Sequence, residues 1–208
     1  MRGIGTRRSV SVAELEQIKF SVIPLEGEWR EAIGQPERNA TIFIYGPPKN
    51  GKTYASLSLA KALLPFFQKI AYNPLEMGIS LSLRQAIDRT MFDPAQAKKI
   101  MLLNREKPDQ LIARMSKKKA PGVIITDSLQ YSGMNYRQYS DFKEQTVGKM
   151  KIWLSHADGK KPKGEVARSV QYDADVIIYV EGFTATCEGR YGGGGAVTIW
   201  PEGAQRFN

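Results

Sequence analysis

The stretch Gly46-Pro47-Pro48-Lys49-Asn50-Gly51-Lys52-Thr53 constrains this chain more than any other. It follows the apolar run Ala40-Thr41-Ile42-Phe43-Ile44-Tyr45 and opens a segment, Thr53 to Phe67, that has no Gly and no Pro before Pro65. G-x-x-x-x-G-K-T between a buried strand and a helix is the pattern of a phosphate-binding loop. Free backbone N–H groups closed by a helix N-terminus make a site for a polyphosphate. There Lys52 supplies a point charge between β- and γ-phosphates, and the Thr53 hydroxyl ligates Mg²⁺. Pro47 and Pro48 donate no N–H, but they occupy the first two variable positions, where the chain only has to turn.

Downstream, short apolar runs alternate with helical segments, the order of a parallel α/β sheet. Strands are expected at Gln68–Tyr72, Lys99–Leu103, Val123–Thr126, Met150–Ser155 and Ala174–Val180. Helices are expected at Ser80–Met91 and Pro108–Lys118, the Lys117-Lys118-Lys119 tail matching the negative end of a helix dipole. Thr184–Tyr191 and Ala196–Trp200, around the glycines Gly192 to Gly195, read as a hairpin.

Candidate chemistry collects at strand ends, the edge where open α/β sheets hold ligands. Asp127 closes an apolar run in the Walker B manner and is expected to hold Mg²⁺ through its water shell. Glu76, after Pro74-Leu75, is either the carboxylate that deprotonates an attacking water or a charge favouring the next helix. His156, the only histidine, is a γ-phosphate sensor or a satisfied structural residue. Arg190 is an exposed turn residue or an arginine reaching the nucleotide of an adjacent subunit. The segment Leu129–Asp141, with Tyr131, Tyr136, Arg137 and Tyr139, is a base-stacking loop or a packed surface loop. Asp158–Gly164, with Lys160, Lys161 and Lys163, reads as a flexible basic loop joined to His156.

A length of 208 residues, 42% hydrophobic, suits one core, divided here into an N-terminal arm (1–39) and a nucleotide core (40–208). In the arm, Val10–Phe20 reads as one helix or a docking arm, and Trp29 as an anchor; it covers an edge of its own sheet or touches a neighbouring subunit. The single cysteine, Cys187, excludes an internal disulfide. No run is apolar enough for a membrane helix, and the start from Met1 to Arg8 lacks a leader's apolar run, so a cytoplasmic protein is expected. A formal charge of +9 favours a polyanionic partner.

The ordered set resembles the RecA/DnaB superfamily of motor ATPases: the phosphate loop, Pro74-Leu75-Glu76-Met77, the Val123–Ser128 strand, His156, Gln171-Tyr172-Asp173-Ala174-Asp175 and Gly189-Arg190-Tyr191-Gly192. The resemblance covers about residues 40 to 200. It implies a three-layer, mostly parallel α/β sheet with an antiparallel C-terminal hairpin, ATP and Mg²⁺ as ligands, Glu76 as catalytic base and Arg190 acting in trans. Two departures stand out: Glu188 occupies the place of a trans-acting lysine, and His156 that of the usual sensor glutamine. Thirty-nine residues cannot encode the N-terminal domain of a replicative helicase. The chain therefore looks more like the core-only relatives of phages and mobile elements, with single-stranded DNA and a homo-oligomer as expected partners. A small hexameric helicase and a nucleotide-gated switch that binds protein are the alternatives.

Overall fold

The structure is a computed structural model and describes residues 9–207. The basic start from Met1 to Arg8 lies outside the described residues. The strands are β1 (Thr41–Gly46), β2 (Ile70–Pro74), β3 (Ile100–Leu102), β4 (Val123–Asp127), β5 (Met150–Asp158), β6 (Lys161–Pro162), β7 (Val176–Glu181), β8 (Thr184–Gly189) and β9 (Ala196–Thr198). The α-helices are α1 (Val12–Glu16), α2 (Gly27–Ile33), α3 (Lys52–Leu63), α4 (Leu81–Thr90), α5 (Pro94–Ala97), α6 (Pro108–Met115), α7 (Tyr136–Gln145), α8 (Glu165–Asp173) and α9 (Pro201–Phe207). No helix among the described residues is long and apolar enough to cross a membrane.

The strands form one sheet in the order β3-β2-β4-β5-β1-β7-β8-β9, with β6 paired to β5. From β3 to β7 all neighbours are parallel, and β8 and β9 extend the sheet antiparallel. Every residue of β1, β2 and β4 is buried, as expected for central parallel strands covered on both faces. Alternation then sorts side chains between two cores. Ile42, Ile44, Tyr72, Ile125 and Leu154 pack with α3 and α2 on one face. Phe43, Ala71, Ile124 and Trp153 pack with α6, α7 and α8 on the other.

The segment expected to be a separate arm has two parts. Val12–Glu16 is a helix with a capping box from Ser11 and Glu14 but no buried residue, and Val10, Leu15, Ile18 and Phe20 are exposed around it. Ile23, Leu25, Trp29 and Ile33 instead belong to the same hydrophobic core as β1 and α3. Helix α2 lies on β8 and β9, and the Trp29 Nε1–H donates to Ser58 Oγ of α3 at 3.2 Å. The packing boundary thus falls near residue 21, because an edge extension of three strands needs a cover for its apolar face.

Two stretches expected to be loops are ordered. Leu129–Ser132 is a 3₁₀ turn, and α7 begins at Tyr136 behind an Asn135 cap. Tyr139 is fully buried edge-on to Trp153, 5.8 Å between ring centroids, so it is a core residue and not a base-stacking one. The basic stretch after His156 is a tight hairpin: β5 runs on to Asp158, and Ala157 and Asp158 pair with Pro162 and Lys161.

Lys151 of β5 is only 5% exposed, and its Nζ donates to the Lys149 carbonyl at 2.8 Å. Burial, with Lys143 adding to it and Asp175 opposing, pushes its pKa from 10.5 down to about 8. Between those values the unfolded chain binds a proton that the folded chain has shed, so stability rises with pH there. Urea unfolding across that range should show the rise in the wild type and not in Lys151→Met. Trp29→Ala should cost about 3–5 kcal/mol by the same measurement. Val12→Ser should stay within about 0.5 kcal/mol.

Candidate nucleotide site

Strand register decides which residues meet at the carboxyl edge of the sheet. Gly46, the last residue of β1, pairs beside His156 of β5, and Pro74, the last of β2, beside Asp127 of β4. The loop from Gly46 to Thr53 leaves this edge and enters α3. Gly46 has no room for a side chain, since a Cβ would lie 2.0 Å from the Val180 carbonyl oxygen. Gly51 caps α3 at φ 100°, with the Phe183 ring 2.8 Å from where a Cβ would stand. Asn50 is buried and serves the loop itself: its amide donates to the Pro48 carbonyl at 2.8 Å and accepts from Gly182 N–H at 2.8 Å. The side chain of Asn50 is thus structural, and Lys49 stands exposed at the loop tip at φ 64°.

Lys52 folds over the loop, its Nζ donating to the carbonyls of Gly46 at 2.9 Å and Pro47 at 2.7 Å. Burial lowers its pKa, and the Asp127 and Glu76 carboxylates oppose that. Thr53 Oγ1 donates to Asp127 Oδ2 at 2.8 Å, and the fully buried Tyr72 hydroxyl donates to the same oxygen at 2.6 Å. Burial raises the Asp127 pKa, and these two hydrogen bonds pull it back. A hydroxyl and a carboxylate side by side are hard oxygen donors of the kind Mg²⁺ takes alongside phosphate oxygens and water. Thr53 and Asp127 therefore fit such an ion. Among the described residues no group of three or more His, Cys, Asp or Glu could hold a metal by itself.

Glu76 follows β2 by two residues and turns back toward β4 and β5. Its Oε2 lies 2.9 Å from His156 Nε2 and 3.3 Å from Ser128 Oγ, and His156 Nε2 is 3.2 Å from Ser128 Oγ. Glu76 is therefore part of a triangle with His156 and Ser128, at the mouth of a cavity of about 480 Å³ that Lys52, Thr53 and Asp127 also line. The far wall of that cavity is aromatic and cationic. The Arg89 guanidinium of α4 sits 4.6 Å over the Trp200 ring, Phe183 meets Trp200 edge-on at 4.8 Å, and the Tyr54 hydroxyl donates to the Arg89 carbonyl at 2.9 Å.

Arg190 stands apart. It follows β8 where Gly189 pairs with Val176, the start of β7, whereas the phosphate loop touches the end of β7 at Val180. Its side chain is exposed and lies 3.7 Å from Asp175 Oδ1. Lys160, Lys161 and Lys163 are exposed on the β5–β6 hairpin, and Tyr136 and Arg137 on the first turn of α7. Gln130 ties that hairpin to the turn after Asp127: its Nε2 donates to Ser155 Oγ at 2.8 Å and to the Lys163 carbonyl at 2.9 Å, and its Oε1 accepts from His156 N–H at 3.3 Å.

Sequence reasoning brought together Lys52, Thr53, Glu76, Asp127 and His156, and missed Tyr72, Ser128, Gln130, Arg89 and Trp200. Tyr72 and Ser128 belong to the strands that carried Glu76 and Asp127, so alternation and position could have found them. Arg89 and Trp200 come from elements far apart in the chain, and no local pattern joins them.

No protein-family model and no curated protein sequence matches the chain. Solved structures do match, 657 chains in all. One is the ATPase domain of a DnaB-like helicase, at 18% identity and a TM-score of 0.57, over 89% of this chain and 90% of that one. Another is the flagellar accessory protein FlaH from Methanocaldococcus jannaschii, at 18% identity and a TM-score of 0.60, over 84% of this chain and 91% of that one. The likeness is one of fold: a three-layer α/β P-loop NTPase of the RecA-like type, with a mostly parallel sheet and antiparallel C-terminal strands.

Proposed function

We propose that the chain binds and hydrolyses ATP with Mg²⁺, works as a homo-oligomer, and acts on single-stranded DNA in annealing or recombination. The observation that carries the ATPase reading is the convergence of Lys52, Thr53, Asp127 and the Glu76–His156–Ser128 triangle on one cavity. Lys52, already turned toward the loop carbonyls, would swing to the β- and γ-phosphates. Thr53 and Asp127 would hold Mg²⁺, which neutralises developing charge on the phosphates. Glu76 is placed to orient a water and take its proton as the water oxygen attacks the γ-phosphorus and the bond to the β-phosphate oxygen breaks. His156 holds that carboxylate and lies level with the start of the phosphate loop, a sensor's place. The wall of Arg89 and Trp200 offers a flat, cationic surface to the base.

Arg190 lies at the end of β7 remote from its own phosphate loop, so its role is toward the γ-phosphate of a second copy. The DNA reading rests on charge and placement. Lys160, Lys161 and Lys163 share one exposed hairpin bonded through Gln130 to the strand of His156, with the exposed Tyr136 and Arg137 on α7 as further candidates. A cationic ridge joined to the nucleotide site can change its grip on a phosphate backbone with nucleotide state.

The test is steady-state ATP hydrolysis with and without single-stranded DNA at low and moderate salt. Stimulation that fades as salt rises, and is lost in the Lys161→Ala, Lys163→Ala double variant, supports the reading. ATP turnover with no DNA binding even at low salt would move it to a nucleotide-gated switch with a protein partner, and directional strand separation to a helicase.

Within the site, Glu76→Gln should bind Mg-ATP as the wild type does and lose at least about 100-fold in kcat. Arg190→Ala should lose about 100-fold in kcat with unchanged nucleotide affinity, and wild-type turnover per chain should fall on dilution to monomer. Full activity of the isolated monomer removes the trans arginine.

A further inference from the structure

Tyr72 sits in the interior of β2 with no exposed surface, among apolar side chains such as Ile70, Ile125 and Leu83. A phenylalanine would fill that space equally well, so the hydroxyl is the informative atom. It lies at the centre of a small polar cluster in an otherwise apolar core. Its O–H donates to Asp127 Oδ2 at 2.6 Å; Ser56 Oγ of α3 is 3.4 Å away and itself donates to the Thr53 carbonyl at 2.8 Å. Both hydrogen bonds to the Asp127 carboxylate, from Tyr72 and Thr53, fall on Oδ2, and none among the described residues falls on Oδ1. The carboxylate is thus held by one oxygen and open at the other.

The two donors differ in what else they must do. Thr53 is on the phosphate loop, and its oxygen is the ligand that a cation at the nucleotide would take. Once that hydroxyl turns toward the cation, the donor that remains on Asp127 is Tyr72. We propose that Tyr72 is a positioning residue for a divalent cation at the nucleotide site, fixing Asp127 through Oδ2 so that Oδ1 faces the cation's water shell. This rests on the nucleotide-binding reading and goes beyond it, because the phosphate-loop and strand-end motifs do not include position 72. Groups that orient metal ligands change metal affinity by about 10–100-fold when removed, without touching the metal themselves.

The experiment compares wild type and Tyr72→Phe for binding of a non-hydrolysable ATP analogue by calorimetry, in EDTA and in excess MgCl₂. The ratio of the two dissociation constants is the gain that Mg²⁺ confers. That gain should fall about tenfold in Tyr72→Phe while affinity in EDTA stays as in the wild type. In an Asp127→Asn background the same substitution should change the gain no further. An undiminished gain in Tyr72→Phe, with only a lower melting temperature, overturns the proposal, since the hydroxyl then does no more than satisfy a buried carboxylate. Independently of that variant, 3-fluorotyrosine placed at position 72 alone should show a ¹⁹F signal that moves when MgCl₂ is added to the analogue complex. A signal that ignores Mg²⁺ overturns it as well. Absence of binding by the wild type in both conditions instead removes the nucleotide-binding reading beneath it.

Discussion

The rest of the site depends on a carboxylate taken out of water. Asp127 is 3% exposed at the end of a strand that is buried along its whole length. A charge in such a place is costly unless donors surround it. Here the donors come from two different elements, Thr53 at the start of α3 and Tyr72 in β2. Satisfying Asp127 therefore brings the phosphate loop, the first helix of the nucleotide core and the two strands β2 and β4 into one arrangement. Glu76 leaves β2 just past Pro74, in register with Asp127, and its backbone N–H donates to the Asp127 carbonyl at 3.0 Å. A single buried acid thus sets the relative placement of cation ligands and base.

From that centre two connections run outward. The first passes through the triangle of Glu76, Ser128 and His156 to β5, then through Gln130 to the Lys163 carbonyl on the basic hairpin. Its members are hydrogen-bonded in sequence, so the hairpin is joined to the site by specific side chains. The second passes through Asn50, which fastens the phosphate loop to the turn between β7 and β8, and through Phe183 to Trp200. Along it the antiparallel extension and the C-terminal segment form the wall of the same cavity as the phosphate loop.

The antiparallel extension needs support of its own. Residues 23–33 supply it on one face, where Trp29, Ala32 and Ile33 pack with Ala185, Cys187 and Val197. On the other face, positions such as Thr186 and Glu188 stay exposed, and β7 alternates buried and half-buried residues. The exposed apolar residues from Val10 to Phe20 precede this cover in the chain and contribute nothing to either core.

Local patterns determine much of this protein. The eight-residue loop between a β-branched apolar run and a Gly-free helix defines a phosphate site, because backbone geometry, glycine placement and helix polarity are all local properties. The order of strands and helices likewise marks a parallel α/β sheet, and strand-end acids mark its ligand edge. Tertiary structure alone decided the contacts that depend on register and packing. That Gly46 lies beside His156 depends on β5 joining β1 across a long stretch of chain. The burial of Tyr139, in a stretch that reads as a polar loop by composition, comes from Trp153 on a different element. Arg89 meets Trp200 only after more than half the chain has folded between them, and Trp29 enters the core because β8 and β9 leave an apolar face uncovered. Local sequence fixes backbone preference over a few residues, whereas these contacts depend on where distant segments come together around the buried Asp127.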